Sequence, residues 1–558
     1  MFAGPPSAQT NRQQQLDGDP DWWRGGVVYQ VYPRSFLDLN GDGIGDLAGI
    51  TARLDYVARL GVDAIWISPF FVSPMLDFGY DVADYKNVDP IFGTIEDFDA
   101  LLNAAHERGL RVLLDLVLSH TSDRHPWFQE SRVDRRNAKS DWYVWADPKP
   151  DGTPPNNWLS LFGGPAWEWD SRRRQYYLHN FLPSQPDLNF HNPIVQEAAL
   201  DVVRFWLERG VDGFRFDTVN MYFHDADLRD NPPCPPELVV NTVPEQNPFG
   251  MQNPIHNITR PENLAFLERL RELMDQYPAT TTVGEIGAVT DMYATVADYT
   301  EGAKRLHAAY SFDFLTRDFS AKRVRRLVER MEARGGDCWP SWAFSNHDVE
   351  RVLSRWGLSV ESEKAGPFLI ALLTSLRGSP CIYQGEELAL AEAYVPYEML
   401  QDPYGIRFWP EFRGRDGCRT PMPWSDRAAH GGFSDAPPWL PVAPEHAERA
   451  TSVQEQDPVS PLNRVRAFLA WRKTRPELSK GSIAFHDAPE PLLAFTRAVS
   501  VDGEEHRSLC VFNCGDGPAA LDVSSFGHLM PHVQHSFGGA LQGTGVSLSG
   551  YDAFFAAY

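Results

Sequence analysis

Three stretches of the chain repeat one pattern of hydrophobic and polar positions. In each, apolar residues recur at helical spacing, a glycine follows, and a short apolar run comes next. In the third stretch, Val195, Ala199, Val202, Val203 and Trp206 share one helical face, which predicts an amphipathic helix before the run VDGFRF. The three stretches begin near residues 50, 94 and 192.

Residues at the ends of these helices support the prediction. Asn192 is suited to cap a helix N-terminus, Pro193 to occupy its first turn and Gly210 to end it. Thr94 and Asp97 resemble a capping box at the start of the second helix. A helix followed by a buried strand, repeated along the chain, is typical of βα units and a parallel sheet.

Further apolar runs predict strands at 281–287, 341–348 and 379–387. With the strands of the repeated units they make six or more, so we predict an α/β protein with a (β/α)8 barrel, the TIM barrel. In that fold the functional side chains lie at the carboxyl ends of the strands. Polar residues occupy such ends at seven positions: Asp115, His120, Arg215, Asp217, Glu285, His347 and Asp348.

Changes in composition along the chain predict additions to the barrel. Residues 121–190 are rich in Trp, Pro, Gly and Asn, which predicts a small inserted domain, subdomain B, after the third strand. Residues 22–120 and 191–477 then form the barrel. Alternating apolar runs in residues 478–558 predict a C-terminal antiparallel β-sandwich domain. Residues 1–21 have no apolar run, so we expect a disordered leader and not a secretory signal.

Net charge and cysteine usage narrow the partners and the compartment. The formal net charge is −24 at pH 7 and the pI is near 5.1, which is unsuited to binding nucleic-acid phosphates and suits a neutral small molecule. The six cysteines include no Cys-x-x-Cys pair, which indicates reduced thiols and a cytoplasmic location. No apolar stretch approaches the ~18–20 residues that a membrane helix needs.

The segment GFRFDTVN (213–220) places two full charges among aromatic neighbours. Because residues i and i+2 of a strand face the same side, Arg215 and Asp217 share one face and Phe214 and Phe216 the other. Such a pair is either a structural salt bridge or a nucleophile with its electrostatic partner. Several carboxylates at strand ends favour glycoside chemistry, because that reaction needs an acid and a nucleophile or base on either side of the bond.

The chain contains the segments DLVLSH (115–120), QPDLNF (185–190), GFRFDTVN (213–220), VGEIG (283–287) and FSNHD (344–348). These five segments resemble motifs of the α-amylase superfamily, glycoside hydrolase family 13. The stretch VVYQVYPRSFLDLNGDGIGDLAGI near the start, and RTPMPW (419–424), resemble the branch that contains α-glucosidases and oligo-1,6-glucosidases. The resemblance extends over about residues 22–558 and implies a barrel enzyme that cleaves α-glucosidic bonds.

The resemblance assigns catalytic roles to four strand-end residues. Asp217 matches the nucleophile, Glu285 the general acid/base and Asp348 the third carboxylate, which holds sugar hydroxyls. Arg215 is expected to bond Asp217 and to lower its pKa, whereas Glu285 must start protonated. The family retains anomeric configuration, which implies a covalent β-glucosyl-enzyme.

Further positions match family residues around the terminal glucose. Tyr80 is expected to stack on that sugar and Phe162 to form a wall of its pocket, although ordinary packing is an alternative for both. Asp77 is expected to pair with Arg419 and clamp the 4-hydroxyl, which makes the enzyme exo-acting. The positions that match are Asp77, Tyr80, His120, Phe162, His347 and Arg419, the two histidines as ligands of glucose hydroxyls.

Thr218 directly follows the nucleophile. In resembling enzymes, Thr or Ala at this position accompanies α-1,4 activity, and Val accompanies α-1,6-glucoside or sucrose activity. We therefore expect a preference for α-1,4-linked substrates such as maltose, with glucose passed to sugar or alcohol acceptors as well as to water.

The segment DLNGDGIGD (38–46) presents oxygen atoms at alternating positions. The donors are Asp38, Asn40, Asp42, the Ile44 carbonyl and Asp46. Hard oxygen ligands suit Ca²⁺ or Mg²⁺, and the resembling enzymes hold one structural cation at this loop. Gly49 stands where an EF-hand has its glutamate, so the loop is not an EF-hand. A solvated acidic turn without a metal is the alternative.

Two other interpretations of the chain remain open. A sucrose-active or isomerising enzyme of the same family is the nearer one. Isomaltulose-forming relatives carry the motif RLDRD, which the region FWPEFRGRDGCRTPMPW lacks. A non-catalytic scaffold on the same barrel is the second, and the presence of all three carboxylates argues against it.

Overall fold

The computed structural model describes residues 19–235, 243–288, 291–335, 337–358 and 363–558. The predicted leader lies outside these ranges except for residues 19–21. The strands of the described chain are β1 (Val28–Val31), β2 (Ala64–Ile67), β3 (Phe71–Val72), β4 (Asp84–Val88), β5 (Arg111–Leu116), β6 (Trp145–Ala146), β7 (Trp167–Asp170), β8 (Gln175–Leu178), β9 (Gly213–Phe216), β10 (Thr281–Ile286), β11 (Ala308–Ser311), β12 (Pro340–Ala343), β13 (Ser379–Tyr383), β14 (Ser482–His486), β15 (Leu492–Val501), β16 (Glu504–Asn513), β17 (Ala519–Asp522), β18 (Met530–Pro531), β19 (Ala540–Gln542), β20 (Gly545–Leu548) and β21 (Asp552–Ala557).

Eight parallel strands close into a barrel, which confirms the predicted fold. Their order around the ring is β1, β2, β5, β9, β10, β11, β12 and β13, and β13 pairs again with β1. The six strands expected from the apolar runs are all present. Two strands were not predicted, β1 and β11, because their short apolar runs have no clear pattern of their own.

Helices alternate with the barrel strands, as expected of βα units. They are α1 (Leu47–Ala52), α2 (Leu54–Leu60), α3 (Ile95–Glu107), α4 (Pro126–Ser131), α5 (Pro193–Arg209), α6 (Asn263–Met274), α7 (Met292–Thr300), α8 (Ala321–Glu332), α9 (Val352–Arg355), α10 (Ala365–Ser375), α11 (Pro403–Phe408), α12 (Pro444–Ala447), α13 (Thr451–Gln454), α14 (Pro461–Lys473) and α15 (Pro476–Lys480).

Helix α5 shows why the chain enters β9 where it does. The Asn192 side chain accepts a hydrogen bond from the Ile194 N–H at the start, and Gly210 ends the helix in a left-handed conformation, at φ 107°. Its predicted apolar face is buried against the barrel. Gly213 then opens β9, where a β-carbon would lie 2.1 Å from the Thr281 carbonyl oxygen, so only glycine allows β9 and β10 to approach there.

The additions to the barrel are the predicted inserted domain and the predicted C-terminal domain. Between β5 and β9 the chain forms a three-stranded sheet in the order β6-β8-β7. After the barrel it forms two antiparallel sheets, β14-β15-β16-β21-β18 and β17-β20-β19. Leu509 and Val511 of the first sheet pack with Val546 and Leu548 of the second, as in a sandwich. In the described ranges, no helix is long and apolar enough to cross a membrane.

Candidate active site

A cavity of about 120 Å³ lies at the carboxyl ends of the barrel strands. Eight of the predicted site residues line it: Asp77, Tyr80, His120, Phe162, Asp217, Thr218, Glu285 and Asp348. Residues that were not predicted complete the wall: Leu161, Phe181, Gln185, Met221, Gly287, Ala288, Phe312, Val349, Tyr404 and Arg415. Three predicted residues, Arg215, His347 and Arg419, are buried behind this lining.

Arg215 lies at the centre of three carboxylates, which together we call the Arg215 cluster. Its Nη1 atom lies 2.7 Å from Asp115 Oδ1 and 2.5 Å from Asp217 Oδ1, and its Nη2 atom lies 2.8 Å from Glu285 Oε1. The four side chains are at most 9% exposed. Strand register explains the arrangement, because Asp115 of β5 and Val283 of β10 both pair with Arg215, and Glu285 follows Val283 on the same face.

The pKa values of the two expected catalytic carboxyls are raised to different extents. Burial raises the pKa of Asp217 to about 6, although Arg215 opposes the shift. Our expectation of a lowered pKa for Asp217 is therefore wrong, because the loss of hydration outweighs the attraction of one shared guanidinium. Burial raises the pKa of Glu285 further, to about 8, and the neighbouring Asp217 and Asp348 carboxylates add to that rise. Asp217 thus ionises first and Glu285 keeps its proton at neutral pH, as a nucleophile and a general acid require.

Thr218 contacts both of these carboxyls. Its backbone is left-handed, with φ 39° and ψ 47°, a conformation that is strained for a β-branched residue. The Thr218 N–H donates to Glu285 Oε2 at 3.1 Å, and its hydroxyl donates to Asp217 Oδ2 at 3.2 Å. The hydroxyl also lies 3.0 Å from Ser119 Oγ. The side chain predicted to influence linkage therefore bonds Asp217 as well as lining the cavity.

Tyr80 and His347 form a stacked pair, with ring centroids 5.2 Å apart and planes 6° apart. The Tyr80 hydroxyl lies 2.9 Å from Asp115 Oδ2 and 2.5 Å from His347 Nε2, and His347 Nδ1 lies 2.7 Å from Gln30 Nε2. Burial lowers the pKa of His347 well below its ordinary value, so the ring is neutral. Tyr80 faces the cavity, where stacking on a sugar was expected, whereas the expected contact of His347 with a hydroxyl stays a prediction.

His120 and Phe162 lie in the cavity wall next to the inserted domain. His120 Nε2 lies 3.0 Å from the Tyr80 carbonyl oxygen, and burial lowers the pKa of His120 to about 4. The Phe162 ring stacks on Tyr404 with centroids 4.8 Å apart and meets Phe181 edge-on at 5.6 Å. Phe162 thus packs against Tyr404 and Phe181 and also lines the cavity. Ordinary packing and the predicted place in the pocket wall are therefore compatible.

Asp77 pairs with Arg415, and not with Arg419 as the sequence led us to expect. Arg415 Nη2 lies 2.8 Å from Asp77 Oδ1 and 2.8 Å from Asp402 Oδ1, and its Nη1 atom lies 3.3 Å from Asp348 Oδ1. We call these four residues the Arg415 cluster. Arg419 instead donates to Asp348 Oδ1 at 3.0 Å. The two arginines are four residues apart in a long loop, and the path of that loop decides which one meets Asp77.

Asp348 remains charged within this arrangement. Burial alone would raise its pKa, but the guanidinium groups of Arg415 and Arg419 hold the pKa of Asp348 below its ordinary value. A carboxylate that stays ionised can accept hydrogen bonds from sugar hydroxyls throughout a reaction. This state fits the role that the sequence assigns to Asp348.

Sequence reasoning missed Tyr310, Gln185 and Arg415. Tyr310 lies on the unpredicted strand β11, whose four-residue apolar run has no clear pattern of its own. Gln185 opens the motif QPDLNF, and its Nε2 atom donates to Asp77 Oδ2 at 3.0 Å. Arg415 had no usable signal, because its loop has no periodic pattern.

The loop at residues 38–46 is held by hydrogen bonds from its own backbone. Asp46 accepts from the N–H groups of Leu39, Asn40 and Gly49, and Asp38 accepts from Gly41 and Gly43. Within the described chain, no group of three or more Asp, Glu, His or Cys side chains is arranged to hold a metal ion. The cation at this loop stays a prediction.

The fold and the cavity together define a class of enzyme. A closed (β/α)8 barrel with its polar residues at the strand ends carries out chemistry at that face. Two buried carboxyls of different pKa are the groups that glycoside hydrolysis uses.

Comparison with known proteins identifies the family. The α-amylase catalytic domain matches residues 30–481. A protein named "Probable alpha-glucosidase" from Rhizobium meliloti (strain 1021) is 58% identical, over 97% of this chain and 98% of its own length. The oligo-1,6-glucosidase of Heyndrickxia coagulans is 36% identical, over 90% of this chain and 94% of its own. The chain belongs to the α-amylase family.

Solved structures agree with this membership. The α-glucosyl transfer enzyme XgtA superposes with a TM-score of 0.93 at 57% identity, covering 96% of this chain and 99% of its own. The trehalulose synthase MutB from Pseudomonas mesoacidophila MX-45 superposes with a TM-score of 0.86 at 32% identity, covering 97% of this chain and 100% of its own.

Proposed function

We propose that this protein is a retaining exo-α-glucosidase that prefers α-1,4-linked substrates such as maltose and transfers glucose to sugar or alcohol acceptors as well as to water. The observation that carries the proposal is the Arg215 cluster, in which Asp217 and Glu285 both contact one buried guanidinium, at 2.5 Å and 2.8 Å, and burial raises the pKa of Glu285 above that of Asp217. The names of the relatives, α-glucosidase and oligo-1,6-glucosidase, and of the α-glucosyl transfer enzyme support both hydrolysis and transfer.

The reaction proceeds in two halves. In the first, the Asp217 carboxylate forms a bond to the anomeric carbon while Glu285 gives its proton to the departing glycosidic oxygen. In the second, Glu285 takes a proton from water or an acceptor hydroxyl, whose oxygen displaces Asp217. Loss of the Asp217 charge in the covalent intermediate removes one of the causes that raise the pKa of Glu285, which favours its change from acid to base.

The Arg415 cluster supports exo action. Asp77, Arg415, Phe162 and Tyr404 all line the cavity, and the Arg415 guanidinium lies 5.0 Å from the Phe162 ring. Charged and aromatic side chains lie together in this part of the cavity wall, which suits the hydroxyl-rich, non-reducing end of a sugar. A continuous chain of glucose units does not pass such a wall, so only the terminal unit is removed.

Product analysis tests the proposal. The purified enzyme is incubated with maltose, isomaltose and sucrose at matched concentrations, and the products are followed by proton NMR from the first turnover. We expect α-glucose to be released first, maltose to have the highest kcat/KM, and transfer products at high maltose to be mainly α-1,4-linked. Release of β-glucose would contradict the retaining mechanism, and a higher kcat/KM for isomaltose or sucrose would contradict the linkage preference.

We further propose that the loop at residues 38–46 binds one Ca²⁺ or Mg²⁺ ion. Its support is the donor set of four side chains with hard oxygens, in which backbone N–H groups fix Asp38 and Asp46 and leave further lone pairs on their carboxylates. Such an ion would be structural, so chelation should lower Tm more than kcat, and Ca²⁺ should restore it. A Tm that neither the chelator nor added Ca²⁺ changes would contradict the proposed ion. Asp38→Asn is the matched variant.

The proposed compartment is the cytoplasm. Cys338, Cys381, Cys418, Cys510 and Cys514 are buried and carry no disulfide. Burial raises the pKa of Cys510 and Cys514, so the only close pair in the sequence consists of unreactive core thiols. Fractionation of the native host, with the enzyme followed by maltose cleavage, tests this location.

A further inference from the structure

Tyr310 contacts both the acid/base and its guanidinium neighbour. Its hydroxyl oxygen lies 2.9 Å from Glu285 Oε1, 2.9 Å from Arg215 Nη2 and 3.3 Å from Arg215 Nε. The side chain is only 4% exposed, and it lies outside the cavity lining. The motifs that identify the catalytic residues do not include this strand.

The direction of these hydrogen bonds follows from what each group can donate. Arg215 has no acceptor, so both of its nitrogens donate to the Tyr310 oxygen. The single hydroxyl hydrogen of Tyr310 is then directed to Glu285 Oε1, which also receives Arg215 Nη2 at 2.8 Å. Among the described residues, Glu285 Oε2 accepts a hydrogen bond only from the Thr218 N–H, at 3.1 Å. The acid proton therefore resides on Oε2, because Oε1 already faces two donors.

We propose that Tyr310 is a positioning residue that directs the transferable proton of Glu285 to Oε2 and favours the ionised form of Glu285 in the second half of the reaction. The inference rests on the proposed function, in which Glu285 is the general acid/base. A hydroxyl that donates to a carboxyl oxygen stabilises the carboxylate more than the acid. Tyr310 therefore limits the rise in pKa that burial causes at Glu285 and makes the change from acid to base easier.

Removal of the Tyr310 hydroxyl leaves the other charged groups around Glu285 in place, but it takes one acceptor away from Arg215 Nη2 and Nε. The charged groups that remain come from β5, β9 and the segment after β12, and they are Asp115, Arg215, Asp217 and Asp348. Because these charges remain, the alkaline limb of activity reports the loss of the Tyr310 hydroxyl, which bonds both Glu285 and Arg215.

The test is the pH profile of kcat/KM for Tyr310→Phe, which removes the hydroxyl and keeps the ring. We expect the alkaline limb to move up by about one pH unit, the size of one hydrogen bond to a charged group, and the acidic limb to move less. Tyr143→Phe is the matched control. It removes another buried hydroxyl, bonded to Thr121 at 2.7 Å in the inserted domain, and its limbs should coincide with those of the wild type.

A second variant keeps the test open if Tyr310→Phe folds poorly. Site-specific 3-fluorotyrosine at position 310 retains the ring and the hydroxyl but makes it a stronger donor, so the alkaline limb should move down. Coincidence of the alkaline limbs of wild type and either folded variant would overturn the proposal for Tyr310 alone. A wild-type enzyme that releases no glucose from maltose would instead overturn the proposed function.

Discussion

The two buried arginine clusters at the carboxyl ends of the barrel strands contain similar residues, but the pKa values of their carboxyl groups differ. In the Arg215 cluster, one guanidinium serves three carboxyls, and the pKa of Asp115 and Asp217 rises to about 6 and that of Glu285 to about 8. Burial raises all three pKa values, and the one guanidinium only partly offsets that rise. These carboxyls therefore exchange protons in the range where an enzyme works.

In the Arg415 cluster, the positive charge more nearly matches the negative. Arg415 also serves three carboxylates, but Arg419 adds a second guanidinium at Asp348. The pKa of Asp348 and of Asp402 is lowered despite burial, while burial raises that of Asp77. The ratio of guanidinium to carboxyl groups therefore differs between the cluster for which we propose proton transfer and the cluster for which we propose substrate binding.

The largest expected effect comes from the two central carboxyls of the Arg215 cluster. Asp217→Asn removes the nucleophile and Glu285→Gln the transferable proton, so each should lower kcat/KM for maltose by about 10³-fold or more. Thermal melting should stay close to the wild type, since both variants replace a buried carboxyl by an amide of the same shape. Wild-type-like activity of either purified variant would contradict the assignment.

Loss of the Arg415 guanidinium tests the other half of the comparison. Arg415→Ala leaves Asp77 and Asp402 buried without their cation, which should lower the free energy of unfolding by about 3–5 kcal/mol and abolish most activity on maltose. Arg413→Ala is the control, because Arg413 is exposed in the same loop and contacts the Tyr394 ring.

A double-mutant cycle then separates the observed pair from the one that the sequence suggested. Coupling between Asp77→Ala and Arg415→Ala should exceed about 1 kcal/mol in transition-state binding, and coupling between Asp77→Ala and Arg419→Ala should be smaller. The reverse order would restore Arg419 as the partner of Asp77.

The pH profile of the wild type shows whether the Arg215 cluster exchanges protons as described. Below about pH 6, Asp217 takes up a proton and cannot act as the proposed nucleophile. Above about pH 8, Glu285 loses the proton that the proposed general acid donates. The profile of kcat/KM should therefore be bell-shaped with limbs near these values, each falling about tenfold per pH unit. Glu285→Gln should lose the alkaline limb, and its retention would assign that limb to another group.

The smallest expected effect concerns Thr218, which lies beside the Arg215 cluster. Thr218→Val keeps the volume and the left-handed backbone strain but removes the hydroxyl that bonds Asp217 Oδ2. One such bond is worth about 1 kcal/mol, so the preference for maltose over isomaltose should narrow by about fivefold. Equal preference ratios in the variant and the wild type would show that the hydroxyl does not influence linkage.

The difference between the clusters also explains what the sequence could predict. Residues of the Arg215 cluster lie on strands, where alternation of side chains and the pairing of neighbouring strands determine their positions, so Arg215, Asp217 and Glu285 follow from short motifs. Residues Asp402 and Arg415 lie in a loop of more than 40 residues, whose path depends on tertiary packing and has no periodic signal. The wrong prediction that Arg419 pairs with Asp77 has this cause.

Charge states were less predictable than positions. The sequence places Arg215 beside Asp217 but does not reveal that the same guanidinium is shared with Asp115 and Glu285, nor how deeply the group is buried. Both facts reverse the expected direction of the Asp217 pKa. Tyr310 was not predicted for a related reason. Its short apolar strand has no periodic pattern in the sequence, and only the closed barrel shows where the strand lies.

Trapping of the covalent intermediate tests most directly whether Asp217 is the nucleophile. Glu285→Gln is incubated with α-glucosyl fluoride, whose leaving group needs no acid, and the protein is examined by intact and peptide mass spectrometry. We expect one added glucosyl unit per chain, located on Asp217 in the peptide that contains GFRFDTVN. A glucosyl unit on any other residue, or turnover through inversion with no adduct, would contradict it.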